Sequence, residues 1–535
     1  MQRACSIGGF LLLVVVVAGC SDNERRSAGG YASTSQTDTT ASNELGEMSL
    51  EEITEINFSS GRGMISLEEG GSDDSYLLVV SASNTTSGNY TVQLADLSLP
   101  SSLIASDHLA LSSSYFSSED PEEAEFHQFL GEIAVSLPDS DERIIQQSSL
   151  LSGLSKGPSI GDKKSFNVLS SMSSIARCKI VTGELRAITS NLLVYVDKEA
   201  SDNIKDDEIE ELALNFDQNS IPLERDLFGN ESDLNNDGYI SVLMSGVTNG
   251  MASSGGIVTG FFFPGDLYSK SASNPCSNEQ EIFYTLVPDP KGEFGVPITA
   301  EFATQNILPG VLCHEYQHMI SFNRHALLGE GKTEEPWLNE AISHLAEDLC
   351  GYGLENYSRV KLFLDKPNTT SLVPTTSPSL AERGAGYLFL RYLYEQQPKG
   401  EAFLRNLLEG NSSGAENIVA SFGDGEFADL LNRWSLTLAL SELGLTSDSK
   451  YNYQTPFKHS VTGNRSGICL RCDAEDGRGT ILKGPAMAEV DSFPIAVNLN
   501  ATSSQILIVS DPPSSLGIIG TGGPNLTGTM LRLVR

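Results

Sequence analysis

Two histidines and a glutamate crowd the stretch LCHEYQH, residues 312–318. His314 and His318 are four residues apart, so on a helix they share one face, with Cβ atoms about 5–6 Å apart. Two imidazoles so placed can grip one ion. Zinc takes imidazole nitrogen at about 2.0–2.1 Å and, for catalysis, needs a third protein ligand and one open position. Glu315 lies beside His314 and can reach a water that such an ion acidifies toward a pKa of about 7. It can then take the water's proton and pass it to a leaving amine. The plainer alternative is a helix that carries two surface histidines. The chain has only seven histidines, however, and four of them, His314, His318, His325 and His344, fall between residues 314 and 344. Leu312, Met319, Ile320 and Phe322 also make this helix apolar enough to be buried.

A third ligand has to come from a nearby element. WLNEAISHLAED offers Glu340 early in a second helix that must pack on the first across a short loop. Glu334, Glu335 and Glu347 compete with it, and for each the usual fate of a glutamate is solvation. A second ion is suggested by DLNNDG, residues 233–238. Asp233, Asn235 and Asp237 follow the opening of a calcium-binding EF-hand loop, with Tyr239 supplying a carbonyl. The twelfth position is Met244, so the bidentate glutamate is missing, and an Asx-rich turn before a strand explains the same residues.

HEYQHMISFN followed by EEPWLNEAISHLAEDLCGYG resembles the hyicolysin-type neutral zinc metallopeptidases of the gluzincin group. The resemblance implies zinc on His314, His318 and Glu340, with Glu315 as the base. It extends over roughly residues 190 to 440, where DLNNDGYISVLMS, GGIVTGFFFPGDLY and SNEQEIFY look like the family's preceding strands. In many such enzymes a tyrosine or histidine stabilises the developing oxyanion. ERGAGYLFLRYLYEQ looks like the family's helix start, but Arg383 stands where tyrosine is expected. Arg383 and Tyr387 are the candidates, set against a surface arginine and a core tyrosine. His344, four residues after Glu340, is either a partner of the ligands or a packed histidine.

The elements that must position these residues are legible in outline. Pro309 and Pro336 can open the two helices at their first turns, and Gly351 can stop the second. SYLLVVSASNTTSGNYTVQLADL reads as two strands around a turn, EEAEFHQFLGEIA as a short helix, LLVYVD as a strand, and DDEIEELALNFDQ as a helix with an apolar face at 209, 212, 213 and 216. Strands at GYISVLMS, GGIVTGFFF and EIFYTLV precede the helices, and short strands return from 458 to 535. The expected fold class is α+β: a gluzincin-like core of mixed or antiparallel sheet and ligand helices, flanked by N- and C-terminal β domains. The expected boundaries are a leader at 1–19, a flexible tether at 20–60, a β-sandwich-like region with connector at 61–175, the peptidase at 176–450 and a second β domain at 451–535. GGIVTGFFF is expected to be an exposed strand able to pair with extended substrate.

The chain begins MQRACSIGGFLLLVVVVAGC. Its apolar run is too short to span a bilayer and reads as a secretory signal ending in a lipobox-like VAGC, with Cys20 as the lipidation site. The expectation is therefore a bacterial cell-envelope protein, attached to the membrane only through its N-terminal lipid, at the outer membrane or cell surface rather than the inner membrane. A net charge of −36 over 535 residues repels nucleic acid and anionic lipid and leaves cations and polypeptides as partners. Beyond Cys20, six cysteines (Cys178, Cys276, Cys313, Cys350, Cys469 and Cys472) permit disulfides. CLRC suits a short-loop pair; the other pairings are open. Two functions are weighed: a lipid-anchored zinc endopeptidase, and a surface binding or adhesion lipoprotein whose metallopeptidase-like domain is not its main activity.

Overall fold

The computed structural model describes residues 49–67, 75–98, 121–137, 157–252 (except 172 and 176), 257–329, 332–472 and 480–534. The leader and Cys20 lie outside these residues. Among the described residues no helix is long and apolar enough to cross a membrane.

The strands in chain order begin with β1 (Ser49–Glu55), β2 (Phe58–Ser59), β3 (Arg62–Ser66), β4 (Ser75–Ala82) and β5 (Asn89–Asp96). They continue with β6 (Lys163–Leu169), β7 (Cys178–Ile188), β8 (Leu192–Asp197), β9 (Ile240–Met244), β10 (Gly260–Phe262) and β11 (Ile282–Thr285). After the helices come the hairpin β12 (Phe457–Lys458) and β13 (Arg465–Ser466), then β14 (Ala488–Val490), β15 (Ile495–Asn500), β16 (Ser504–Val509), β17 (Ser515–Thr521) and β18 (Leu526–Val534).

The two outer β regions do not form separate flanking domains. Their strands alternate within two shared sheets, ordered β1-β18-β4-β16-β14 and β15-β5-β17-β3-β2. The reason lies in β4, whose eight residues SYLLVVSA are nearly all buried. On one face Leu78 sits between Leu507 and Met530, inside the core between the sheets. On the other face Leu77 sits between Ile508 and Leu531, and all three join the main helical core. A strand apolar on both faces needs cover on both: the second sheet covers one face and the helix Phe427–Leu440 the other, while the C-terminal strands β16 and β18 pair with its two edges. The tether also ends earlier than 60, because β1 pairs along β18. Leu50 and Ile53, three residues apart, meet Leu533 and Leu531 on one face only because the register shifts between Leu50 and Glu52, so plain alternation does not reveal the strand.

The central sheet runs β10-β11-β9-β8-β7-β6. It starts at Lys163 rather than 176, with Phe166 and Val168 buried. β8, β9 and β11 are buried along their whole length and parallel to one another; β10 is antiparallel and forms an edge. A disulfide joins Cys178, at the start of β7, to Cys276 in the loop before β11, and a second joins Cys469 to Cys472.

The helices longer than one turn are α1 (Pro121–Ser136), α2 (Asp206–Asn215), α3 (Ile221–Phe228), α4 (Leu308–Phe322), α5 (Pro336–Leu349), α6 (Asn356–Leu364), α7 (Leu380–Gln396), α8 (Gly400–Glu409), α9 (Gly414–Phe422) and α10 (Phe427–Leu440). α4 lies against β10, β11 and α5, and α5 against α7. α10 carries the outer face of the sandwich: Ser435 and Ser81 are joined by their hydroxyls at 3.2 Å, and Asn432 donates to Thr529 at 3.1 Å.

Candidate active site

Pro309 sits where a π-helical turn, Ala303–Ile307, passes into α4. Pro336 sits in the first turn of α5, where the missing N–H has no partner to lose. Glu335, forced extended by the following proline, has φ −61° and ψ 140°. Gly351, at φ +82°, turns the chain out of α5 in the left-handed conformation that favours glycine.

α4 presents His314 and His318 to α5, which presents Glu340, His344 and Glu347. His314 Nε2 and His318 Nε2 are 3.1 Å apart. Glu340 Oε2 lies 3.6 Å from the first, and Glu340 Oε1 3.5 Å from the second. Donors at about 2.0–2.1 Å from one tetrahedral zinc stand about 3.3–3.4 Å apart, so this triangle is already the right size.

The hydrogen bonds fix which ring nitrogens are free. His314 Nδ1 is 2.6 Å from Glu347 Oε1; an ionised carboxylate only accepts, so Nδ1 carries the proton. Ser343 spends its hydroxyl proton on Gln317 Oε1 at 2.5 Å and therefore accepts from His318 Nδ1 at 3.1 Å. Both Nε2 lone pairs then converge on one point, next to a carboxylate. Such an arrangement is repulsive until a cation sits in it, and the donor set of two imidazoles and one carboxylate suits zinc. Burial lowers the pKa of His314 and favours the neutral, ligating form. Burial works the same way on His318, but Glu340 and then Glu315 reverse it and raise the pKa. The carboxylates that attract a proton there attract a divalent cation equally.

Glu347, read from sequence only as a rival third ligand, does something else. Its Oε1 is shared between His314 Nδ1 and His344 Nδ1, the latter at 2.9 Å. Burial alone would raise its pKa, but His344 and His314 hold it well below the usual carboxylate range. His344 is itself pushed down to about 4 by burial, so it is a neutral ring that helps to hold Glu347. The spacing 340, 344, 347 is one helix face, and that was the available clue.

Glu315 is buried and, with His318 and Glu340, lines a cavity of about 70 Å³. At about 10–15 Å³ per water, this is space for a handful of waters. Phe262 and Pro264, Leu130, Gly131 and Ala134 of α1, and His325 and Glu334 also line the cavity. β10 is not the exposed strand expected. It is a sheet edge, but its three residues are buried: Gly260 lies against α4, and Phe261 packs edge-on against Phe126 of α1 at 5.4 Å.

The remaining competitors fall outside the triangle. Glu334 accepts from Gly414 N at 2.6 Å and from Asn417 at 2.6 Å, and Glu335 accepts from Trp337 at 2.9 Å. Tyr387 is a core tyrosine, its hydroxyl donating to Asp348 at 2.9 Å beside Arg391 at 2.8 Å. Arg383 is no surface arginine; it is buried, with Nη1 3.5 Å from Glu340 Oε2. In the loop 233–238, Asp233 accepts from Gly238 N and Asp237 from Tyr239 N, the pattern of an Asx-rich turn.

No known family profile matches the chain. Over 245 residues, 43% of the chain, it is 27% identical to the neutral metalloprotease ShpI of Staphylococcus hyicus. The match takes in 53% of that protein, so the chain spans about half the length of the curated relative it matches. This likeness supports a metallopeptidase family.

Proposed function

We propose that the protein is a zinc endopeptidase of the neutral metallopeptidase kind, acting on protein or peptide substrates. The observation that carries this reading is the convergence of two imidazole Nε2 atoms and the Glu340 carboxylate, 3.1 to 3.6 Å apart, beside Glu315 in a cavity. His314, His318 and Glu340 would hold the ion. When bound, zinc supplies a Lewis acid for the scissile carbonyl and acidifies a water. Glu315 takes that water's proton as attack proceeds and delivers it to the leaving amine. Glu347 fixes the His314 ring so that Nε2 faces the ion. Arg383 offsets the charge of Glu340 from behind.

We infer further that Cys20 carries lipid, that the body is held outside the cytoplasm at the outer membrane or cell surface, and that the loop of Asp233, Asn235 and Asp237 takes calcium weakly.

The decisive experiment is zinc content together with casein hydrolysis on the purified protein. One catalytic zinc per chain is expected, with hydrolysis lost to a chelator and restored by zinc. A protein that holds zinc there and cleaves nothing would favour a surface-binding role. Cys20→Ser should release active protein into the soluble fraction, and a variant that stays on washed membranes would remove the lipid anchor. Equal melting temperatures with and without millimolar calcium would remove the calcium site.

A further inference from the structure

Directly behind the ligand helices lies a second cluster that the peptidase reading leaves unused. Cys313, the neighbour of His314, and Cys350, at the end of α5, are free and buried. Glu224 of α3 is fully buried between them. The three ligand atoms lie within 4.8 Å of one another. The Cys350 thiol faces Glu224 Oε1 at 3.6 Å. The other oxygen, Glu224 Oε2, is buried with no hydrogen-bond partner. Glu224 also has no ion pair among the described residues.

A carboxyl taken wholly out of water keeps its proton unless a cation or a full set of donors meets it, and burial pushes the Glu224 pKa well up. Two weak thiol donors do not supply that. Nor does a disulfide between Cys313 and Cys350, which would strip Glu224 of even these. A metal ion satisfies all three groups at once. Two sulfurs and one oxygen are a donor set for a borderline-soft divalent ion, with Zn–S near 2.3 Å and Zn–O near 2.0–2.2 Å. Ligand atoms on one tetrahedral ion with such bonds stand about 3.5–3.8 Å apart, so contraction from the present spacing is slight. Ser220, also buried, is in hydrogen-bond contact with Cys350 and offers a neutral oxygen alongside.

We propose that Glu224, Cys313 and Cys350 form a second metal site that takes a divalent ion of the zinc class. On binding, the two thiols and the Glu224 carboxyl release their protons to solvent and coordinate as two thiolates and a carboxylate; no electron is transferred. The ion would tie α3 to α4 one residue before His314, and to α5 at its last turn. It would thereby fix the angle between the helices that carry the catalytic ligands. The site is closed and buried, which is the character of a structural ion.

The test is cobalt substitution of the purified full chain, read by absorption. The His–His–Glu triad contains no sulfur and the other described cysteines are disulfide-bonded, so among the described residues a thiolate-to-cobalt charge-transfer band can arise only from the second site. The expected result is that band, together with two metal ions per chain. Cys350→Ser should abolish the band and lower the ratio from two to one, while the triad keeps its ion. If Cys350→Ser fails to fold, Glu224→Gln retains both thiols and should weaken metal binding at least tenfold with a shifted band. One ion per chain with both thiols freely alkylated after denaturation would overturn the proposal in favour of packed thiols. Resistance of Cys313 and Cys350 to alkylation in the denatured, unreduced protein would overturn it in favour of a third disulfide.

Discussion

Glu347 Oε1 stands 2.6 Å from His314 Nδ1, on the side of the ring away from His318 and Glu340. This bond decides which nitrogen of His314 is left to bind a metal. Partners of this kind typically change metal affinity or activity by about 10–100-fold. Glu347→Gln keeps the shape but can present an N–H where a carboxylate accepted. The expected outcome is zinc affinity weakened by about 10–100-fold, with activity recovering as zinc is raised. Titration with a competing chelator measures it. Unchanged zinc affinity would reduce Glu347 to a packing residue.

What the sequence disclosed about this site follows from locality. His314, Glu315 and His318 are fixed by the turn of one helix, and Glu340 by the proline that starts the next. Glu347 was visible as a carboxylate, but its role depends on the crossing of two helices, which no single-helix pattern contains. Gly260 and Glu224 were silent for the same reason. The fold failed to show itself where pairing was most distant: β4 read correctly as a strand, yet its neighbours β16 and β18 lie more than four hundred residues on. Alternation reports a buried face and not what buries it.

Gly260 gives the edge strand its distance from Glu315. A methyl group there would overlap Val311 Cγ1, come within 2.9 Å of the Tyr284 carbonyl oxygen and touch Glu315 Cγ at 3.4 Å. Backbone and helix must part to admit it, and overpacking of this sort costs about 1–3 kcal/mol. Gly260→Ala should lower the melting temperature and, by shifting Glu315, reduce kcat by up to about 10²-fold while zinc stays bound. Wild-type turnover in this variant would mean that β10 and Glu315 are not held in fixed relation.

Glu334 should make stability fall as pH rises. Burial pushes its pKa up to about 7, against the amides of Gly414 and Asn417 that pull it down. Below about pH 4.5 the folded and unfolded chains both hold the proton, and the group adds no slope. Between about 4.5 and 7 only the folded chain holds it, so each pH unit costs at most about 1.4 kcal/mol. Above 7 both are ionised and the full cost remains. Glu334→Gln has no proton to lose. The difference between wild-type and variant unfolding free energies should therefore slope from pH 4.5 to 7 and be flat on either side. A flat difference throughout would show that Glu334 is ionised in the folded protein at all these pH values.

Isosteric changes at Glu315 and Glu340 should have separable effects. Glu315 borders the triangle of ligand atoms without belonging to it, whereas Glu340 supplies one corner. Glu315→Gln keeps size and leaves His314, His318 and Glu340 in place. Zinc at the triad should stay near one per chain while turnover falls by about 10²–10⁴-fold, the usual share of general acid–base work. Glu340→Gln exchanges an anionic oxygen for a neutral donor between two imidazoles, so the zinc itself should be lost or bound far more weakly, and activity with it. The two isosteric changes thus separate rate from metal. Metal analysis and peptide hydrolysis on both purified variants read the difference. Full zinc and activity in Glu340→Gln would remove it from the ligand set, and an active Glu315→Gln would end the peptidase mechanism proposed for this site.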